Sequence, residues 1–156
     1  MFRYLFENVS GDIWAFLGAG LAFLLAAIGS SIGVGTAGGA ASGVVAEDSD
    51  KFVPVMILEA LPSTQGIYGF VIAFMIVSGN IGGLSLEQGM NFLMAGLPMG
   101  IIGLVSGIYQ GRVAAAAINI VARRSADMVK GIILTLMVEL FAIFALLISI
   151  LMIGQI

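Results

Sequence analysis

Long stretches without a charged residue are the feature that most limits what this chain can fold into. The run from Ile13 to Ala46 contains no Asp, Glu, Lys or Arg. A helix needs only about 20 apolar residues to cross a lipid bilayer. Only 10% of the residues are charged, whereas soluble domains average about 25%. The sequence therefore predicts an all-α membrane protein and leaves no room for a separate soluble domain.

Polar turns divide the chain into four expected transmembrane helices, which follow a short polar lead at residues 1–12. The expected helices cover residues 13–45, 52–78, 88–122 and 129–153. Pro54, Glu59 and Pro62 are expected to interrupt the second helix, because proline lacks a backbone donor. A glycine-rich break at 79–83 follows, and Ser85-Leu86-Glu87-Gln88 has a capping pattern that predicts the start of the third helix.

An internal repeat organises the chain. A shift of 76 residues, which carries residue 30 onto residue 106, pairs Ser30-Ser31-Ile32-Gly33-Val34-Gly35 with Ser106-Gly107-Ile108-Tyr109-Gln110-Gly111. The sequence thus predicts two tandem helical hairpins in parallel orientation, residues 1–80 and 81–156. Under this shift Glu139 falls opposite Ser63, so only the second hairpin carries a carboxylate at that position.

Lysine and arginine predict the orientation, because positively charged loops stay in the cytoplasm. Most of these residues lie at or beside the turns 47–51 and 123–127, namely Lys51, Arg123, Arg124 and Lys130. The opposite side has only Arg3. We therefore expect both turns to be cytoplasmic and both termini to be outside.

Small residues recur at four-residue spacing in the first and third helices. In lipid, such ridges let helix backbones approach closely. They fit either ordinary packing within one bundle or a homo-oligomeric ring with the small-faced helices inside. The ridges are Gly29 with Gly33, then Gly35, Gly39 and Gly43, and in the third helix Gly103, Gly107, Gly111 and Ala115.

Glu139 lies in the middle of the fourth helix, far from any other charge. Eight uncharged residues separate it from Lys130, and none of the residues after it is charged. A lone charge at this depth costs at least ~2.5–3.5 kcal/mol, so an intramembrane carboxylate is by default functional. No lysine or arginine lies near the middle of a helix, so its partner is expected to be neutral.

Neutral oxygen atoms are what the chain offers at this depth. Residues Leu61, Thr64, Gln65 and Tyr68 share one face of the second helix by their spacing, and Gln110 lies in the third. Pro62 is expected to bend the helix and free carbonyl groups. One carboxylate among amide, hydroxyl and carbonyl oxygens suits a small monovalent cation, and the number of oxygens favours Na⁺ over a proton. Polar contacts that only hold helices together are the alternative.

The duplicated hairpin resembles a known family. Leu61-Pro-Ser-Thr-Gln-Gly-Ile-Tyr-Gly-Phe70, Gln110-Gly111 and Met137-Val138-Glu139 are similar to the membrane rotor-ring subunit, or proteolipid, of bacterial V-type and A-type rotary ATPases. The similarity covers essentially the whole chain. It implies a ring of about ten identical subunits in the bacterial plasma membrane. It also implies contact with lipid, with a stator subunit that carries an essential arginine, and with central stalk subunits of the soluble ATPase.

The resemblance also implies roles for individual residues. Tyr68 would donate a hydrogen bond to the carboxylate without touching the ion. The implied Na⁺ ligands are Glu139, Thr64, Gln65, Gln110 and the carbonyl of Leu61. No catalytic site is expected in this chain, because ATP chemistry would belong to partner subunits.

Glu59 is a second membrane carboxylate, one helical turn before Ser63. It is open to several interpretations: it has a plain structural role, it lines the cytoplasmic path of the ion, it stays protonated, or it pairs with Arg112. A second ion site there is the least favoured interpretation.

The sequence alone leaves other functions open. A proton-translocating ring of the same family needs only the carboxylate and one or two hydrogen bonds. A small multidrug-type cation exporter and a pore-forming oligomer belong to different classes. The net charge of −3 argues against a nucleic-acid partner. The sequence lacks both cysteine and histidine, which excludes thiolate and imidazole chemistry.

Overall fold

Four membrane-length helical segments form the part of the molecule that the structure describes. The computed structural model describes residues 10–79 and 81–156. Within these ranges the α-helices are α1 (Gly11–Glu47), α2 (Phe52–Ala60), α3 (Thr64–Ser78), α4 (Leu86–Arg123) and α5 (Met128–Ile153). The segments long and apolar enough to cross a membrane are Gly11–Glu47, Ser49–Ser78, Leu86–Arg123 and Ser125–Ile153. The prediction of an all-helical protein with four membrane helices is confirmed.

Side-chain caps determine where the two longest helices begin. The Ser10 side chain accepts a hydrogen bond from Asp12 N at the start of α1 (3.1 Å). Ser85 and Gln88 form a reciprocal capping box at the start of α4, as the sequence pattern predicted. Both helices extend one or two residues beyond the expected bounds at each end.

The second span is broken once. A 3₁₀ turn at Leu61–Ser63 separates α2 from α3, and Pro62 lies at its centre, which confirms the expected interruption there. The expectation that Pro54 and Glu59 also interrupt the helix is wrong, because both lie inside α2. Pro54 is the third residue of α2, where a backbone N–H has no partner within the helix in any case.

Helices α1 and α4 pack against each other through their glycines. A Cβ atom on Gly107 would stand 2.6 Å from the carbonyl carbon of Gly29, and one on Gly103 would stand 2.7 Å from the Cβ of Ala26. Such distances leave no room for side chains, so the two backbones are in direct contact. The buried core beside this contact is rich in alanine, with Ile72, Ile76 and Met99 as its largest members.

Each end of the bundle is tied across the two hairpins. Lys51 Nζ donates to the carbonyl oxygen of Ala122 (2.8 Å), so the two cationic turns lie at the same end. At the other end the Asp12 carboxylate accepts from Leu84 N (2.9 Å). Arg3, which entered the prediction of orientation, lies outside the described residues.

Candidate ion-binding site

The Glu139 carboxylate is buried and is bound by two neutral donors from other helices. Only 6% of the residue is exposed. Its Oε1 accepts from the Tyr68 hydroxyl of α3 (2.6 Å), and its Oε2 accepts from Nε2 of Gln110 in α4 (3.2 Å). The predicted contact with Tyr68 is therefore present. Three helices converge on one side chain.

No cationic side chain approaches Glu139 among the residues that the structure describes. The ion pairs found there join Lys51 to Asp48 and Lys130 to Asp127, at the two cationic turns. Neutral hydrogen bonds alone compensate the carboxylate, so its negative charge remains available to a cation.

Two glutamine side chains continue the network away from the carboxylate. Nε2 of Gln65 donates to Oε1 of Gln110 in a short contact, and both residues are fully buried. Gln110 Nε2 also lies 3.4 Å from the carbonyl oxygen of Thr135. Since Gln65 is on α3 and Gln110 on α4, this amide pair joins the two hairpins beside Glu139.

The break at Pro62 brings further oxygen atoms to the amide pair. The Thr64 hydroxyl donates to the carbonyl oxygen of Leu61 (3.0 Å) and lies 3.5 Å from Oε1 of Gln65. These groups stand together because the 3₁₀ turn tightens the backbone between residues 61 and 64. The repeat counterpart of this turn, residues 137–139, lies inside the continuous helix α5.

The predicted oxygen-bearing residues therefore meet in one connected cluster. Hydrogen bonds and close polar contacts link Leu61, Thr64, Gln65, Gln110, Glu139 and Tyr68. An amide group can turn either its oxygen or its nitrogen toward a neighbour. The same cluster can thus donate to an ionised carboxylate or, after rotation of the amides, surround a small cation with oxygen. Its residues fit such an ion.

Sequence reasoning missed two supporting groups. Ser30 Oγ accepts from the Gly66 N–H (2.8 Å) and so stabilises the start of α3 just after the break. The Thr135 carbonyl, one turn before Glu139, orients Gln110. The signals were weak: a serine at equivalent positions of both repeats, and a backbone carbonyl that no side-chain pattern identifies.

Glu59 lies outside this cluster. Its carboxylate packs on Gly38 of α1, where an added Cβ would stand 2.8 Å from Oε1. It also lines an open groove of about 370 Å³ between α1 and α2, together with Ser42, Met56 and others. It makes no ion pair with Arg112 among the described residues. The Arg112 guanidinium instead lies over the Tyr109 ring, 5.0 Å from the centre of that ring.

This arrangement is that of a helical membrane protein in which two hairpins surround one buried carboxylate. The model of the family described as the C subunit of ATP synthase matches the chain twice, at residues 17–76 and 93–152. The chain belongs to this family, whose members are non-catalytic subunits of the membrane rotor ring of rotary ATPases. The double match confirms the predicted duplication.

Individual relatives agree with this assignment. The chain is 44% identical to the V-type sodium ATPase subunit K of Enterococcus hirae over 98% of both chains. It is 45% identical to the A-type ATP synthase subunit K of Methanocaldococcus jannaschii over 95% of this chain and 66% of that protein. A shorter relative, the ATP synthase subunit c of Syntrophomonas wolfei, is 45% identical over 39% of this chain and 90% of its own length. That protein matches only part of the duplicated chain, whereas the first two match almost all of it.

Proposed function

We propose that this chain carries Na⁺ across the membrane as the ring subunit of a V-type rotary ATPase, coupled to ATP hydrolysis or synthesis by partner subunits. The observation that carries this proposal is the buried Glu139, which is bound by Tyr68 and Gln110 and is linked through Gln110 to Gln65 and Thr64. The printed name of the Enterococcus hirae relative, a V-type sodium ATPase subunit, supports Na⁺ as the transported ion.

The proposed ligand set contains one charge and several neutral oxygens. One negative charge balances one monovalent ion, whereas a divalent ion usually requires more carboxylates or retained waters. Tyr68 keeps its bond to Glu139 and orients the carboxylate. The proposed Na⁺ ligands are Glu139, Gln110, Thr64, Gln65 and the carbonyl oxygen of Leu61.

The proposed mechanism is electrostatic. With Na⁺ bound, the site is nearly neutral and can pass through lipid as the ring turns. When Na⁺ leaves, the ionised Glu139 is costly in a low dielectric and is stable only opposite a positive charge. An arginine of a stator subunit would supply that charge. The described residues of this chain offer no cation beside Glu139, so the counter-charge must come from another subunit.

The proposed copy number and partner contacts depend on assembly of the chain into a ring. We propose that the ring of identical subunits has about ten copies and contacts lipid on its outer face and central stalk subunits at one end. The division into a first hairpin at 1–80 and a second at 81–156 remains part of this proposal. Glu59, which lines a groove near the cationic turns, is proposed to lie on the cytoplasmic path of the ion. A small cation exporter, the alternative from another class, has no support from the family.

Protection from carbodiimide labelling tests the choice of ion. Carbodiimides react with protonated carboxyl groups, so bound Na⁺ should protect Glu139 in the assembled complex. Protection should weaken as the pH falls, because protons compete with Na⁺ for the same carboxylate. Peptide mapping would identify the labelled residue, and K⁺ at the same ionic strength is the control for salt.

A Glu59→Gln variant shows whether the Na⁺ protection from carbodiimide labelling belongs to Glu139 or to Glu59. This variant should retain Na⁺ protection, because Glu59 does not contact the Glu139 cluster. Labelling of Glu139 that is indifferent to Na⁺ at every pH would contradict the proposal and favour the proton-translocating alternative. The Tyr68 and Gln110 hydrogen bonds alone are sufficient for a proton site.

A further inference from the structure

The two cationic turns, residues 47–51 and 123–127, share one backbone conformation. Each follows a long helix, α1 or α4, and begins beside an extended residue. Asp48 has φ −151° and ψ 98°, and Arg124 has φ −149° and ψ 92°. In both turns the N–H of this residue donates to the carbonyl four residues earlier, and a 3₁₀ turn follows. The internal repeat is therefore preserved in the backbone of the turns.

The charges on this shared backbone are reversed between the two turns. The shift of 76 residues pairs Glu47 with Arg123, Asp48 with Arg124, and Lys51 with Asp127. A cation near a helix C-terminus can stabilise the helix through its dipole. However, α1 ends with Glu47 and has no basic residue in its last turn. The backbone itself therefore does not require the two arginines of the second turn.

Both arginines line a groove beside the end of α4. The groove has a volume of about 390 Å³. Its polar part is formed by Asn119, Arg123, Arg124 and Asp127, and its apolar part by Ala116 and Ile120. Positive charge that only keeps a turn in the cytoplasm does not need a groove with two such parts. The combination instead indicates a ligand that is anionic at one end and apolar at the other.

The guanidinium groups in the groove are available to an anion. Arg123 and Arg124 are exposed, and neither takes part in an ion pair among the described residues. The Asp127 carboxylate also lines the groove, but it lies 2.7 Å from Lys130 Nζ. Because this lysine already compensates the carboxylate, the groove keeps an excess of positive charge.

The groove lies at the depth of lipid headgroups. Gln110 binds the carboxylate of Glu139 near the middle of the membrane. Arg123 lies roughly 20 Å from Gln110 along α4, at ~1.5 Å per residue. The headgroup layer of a bilayer lies roughly 15–22 Å from its middle. The arginines are thus level with headgroups, and Ala116, about two turns earlier, is level with acyl chains.

We propose that this groove binds the phosphate of an anionic phospholipid in the leaflet beside the cationic turns. A planar guanidinium can donate two parallel hydrogen bonds to phosphate oxygens, so Arg123 and Arg124 hold the headgroup. The Asn119 amide donates one hydrogen to the Ala115 carbonyl (3.2 Å) and has a second hydrogen for the lipid. The acyl chains lie along Ala116 and Ile120.

The other cationic turn should not bind the same lipid. Residues 47–51 carry three carboxylates, those of Glu47, Asp48 and Asp50, and one lysine. That lysine is within 3.3 Å of the Asp48 carboxylate. A phosphate would be repelled there, so each chain has one lipid site and not two. The site depends on the reversal of charge between the repeats and not on the transported ion.

Native mass spectrometry of the full ring in detergent tests the proposal. Phosphatidylglycerol and phosphatidylcholine with the same acyl chains are each titrated against the intact ring. The natural ring should bind phosphatidylglycerol more tightly, because the choline group places a second cation beside the arginines. Arg123→Gln and Arg124→Gln should each lower the affinity for phosphatidylglycerol about fivefold, which corresponds to about 1 kcal/mol per cation near a membrane surface. Equal affinities of the natural ring for the two lipids would overturn the proposal.

A matched variant separates the groove from the overall charge. Arg112→Gln removes the same group from the same helix, roughly 16 Å before Arg123, and should leave the affinity for phosphatidylglycerol unchanged. The mass of the intact ring shows that each variant has assembled. An equal loss of affinity in Arg112→Gln, or full affinity in both groove variants, would show that the groove is not the site.

Inorganic phosphate distinguishes a lipid site from a site for a free anion. Phosphate at the same concentration should not displace phosphatidylglycerol, because it has no acyl chain to contact Ala116 and Ile120. Displacement would overturn the assignment to lipid. Na⁺ protection of Glu139 should persist in the groove variants and reports the proposed transport site separately.

Discussion

At the scale of single residues, the site depends on which partners stabilise one buried carboxylate. Tyr68 and Gln110 bind the two oxygens of Glu139 from different helices, and Gln65 holds Gln110. These side chains are neutral, so they would not cancel the charge of an ionised carboxylate. A cation can therefore still bind.

Gln110 is the buried amide whose loss should weaken ion binding most directly. Gln110→Leu removes both the hydrogen bond to Glu139 and a proposed Na⁺ ligand. It replaces the amide side chain by an apolar side chain of similar size. We expect the Na⁺ concentration needed for half-protection to rise about 10- to 100-fold, since a hydrogen bond to a charged group is worth about 1.5–3 kcal/mol. The measurement is the carbodiimide titration of the assembled complex.

A second polar residue of α4 provides the control. Asn119 is exposed and its side chain donates to the Ala115 carbonyl of its own helix. Asn119→Leu should leave the Na⁺ titration unchanged. If Gln110→Leu behaves in the same way, Gln110 is not a ligand and serves only as a contact between helices.

At the scale of helices, two local features determine the architecture. The break at Leu61–Ser63 presents the Leu61 carbonyl and the Thr64 hydroxyl to the site. The glycines of α1 and α4 then bring the hairpins close enough for Gln65 to reach Gln110. A wider separation of these helices would break the amide pair, so packing and binding depend on the same contact.

Gly107→Ala tests the dependence on close packing. The added methyl group would stand 2.6 Å from backbone atoms of Gly29, which cannot move away as a flexible side chain could. We expect a cost of about 1–3 kcal/mol, typical of overpacking. A lower unfolding temperature and a smaller yield of folded subunit in detergent would report it.

Gly35→Ala is the matched change on the neighbouring helix. It adds the same methyl group where no atom lies within 4 Å inside the subunit, so the isolated subunit should keep its stability. Equal losses for the two variants would mean that the α1 and α4 contact is less tight than the structure indicates.

At the scale of the whole molecule, the two cationic turns lie at the same end of the helical bundle. The side of the membrane that this end faces therefore defines the orientation of the whole chain. Lys51 reaches the Ala122 carbonyl across the hairpins, and Arg123 and Arg124 lie next to it in sequence. The positive-inside rule predicts that this end is cytoplasmic.

Single cysteines would establish the orientation, because the natural chain has none. Ser49→Cys and Ser125→Cys lie at the cationic turns and should react with a membrane-impermeant maleimide only from the cytoplasmic side. Gln155→Cys, at the exposed C-terminus, should react only from outside. The reverse pattern in right-side-out and inverted vesicles would show that the proposed orientation is wrong.

Much of the fold and the chemical character of the site could be predicted from local patterns. The lack of charge from Ile13 to Ala46 requires a membrane helix. The capping box at Ser85 and the break at Pro62 could also be predicted, because each depends on residues that are close together in the sequence. The isolation of Glu139 from any cation was also evident, because charges are separated along the chain itself.

Other features depended on how the helices meet. The sequence suggested an interruption at Pro54, but the first turn of a helix tolerates proline. It allowed a pair between Glu59 and Arg112, yet Arg112 lies over Tyr109 within the subunit. Lateral contacts between distant residues decide such pairings, and spacing along the chain does not report them.

The four membrane spans, the duplication and the isolation of Glu139 among neutral oxygen-bearing residues could be predicted from the chain alone, because hydrophobicity, repeat spacing and charge are properties of the chain. The packing of the helices places Tyr68 and Gln110 on opposite oxygens of Glu139 and brings Ser30 to the start of α3. It also leaves Ser106 Oγ without a hydrogen-bond partner among the described residues. Those outcomes follow from the close approach of α1 and α4, which the backbones of their glycines make possible.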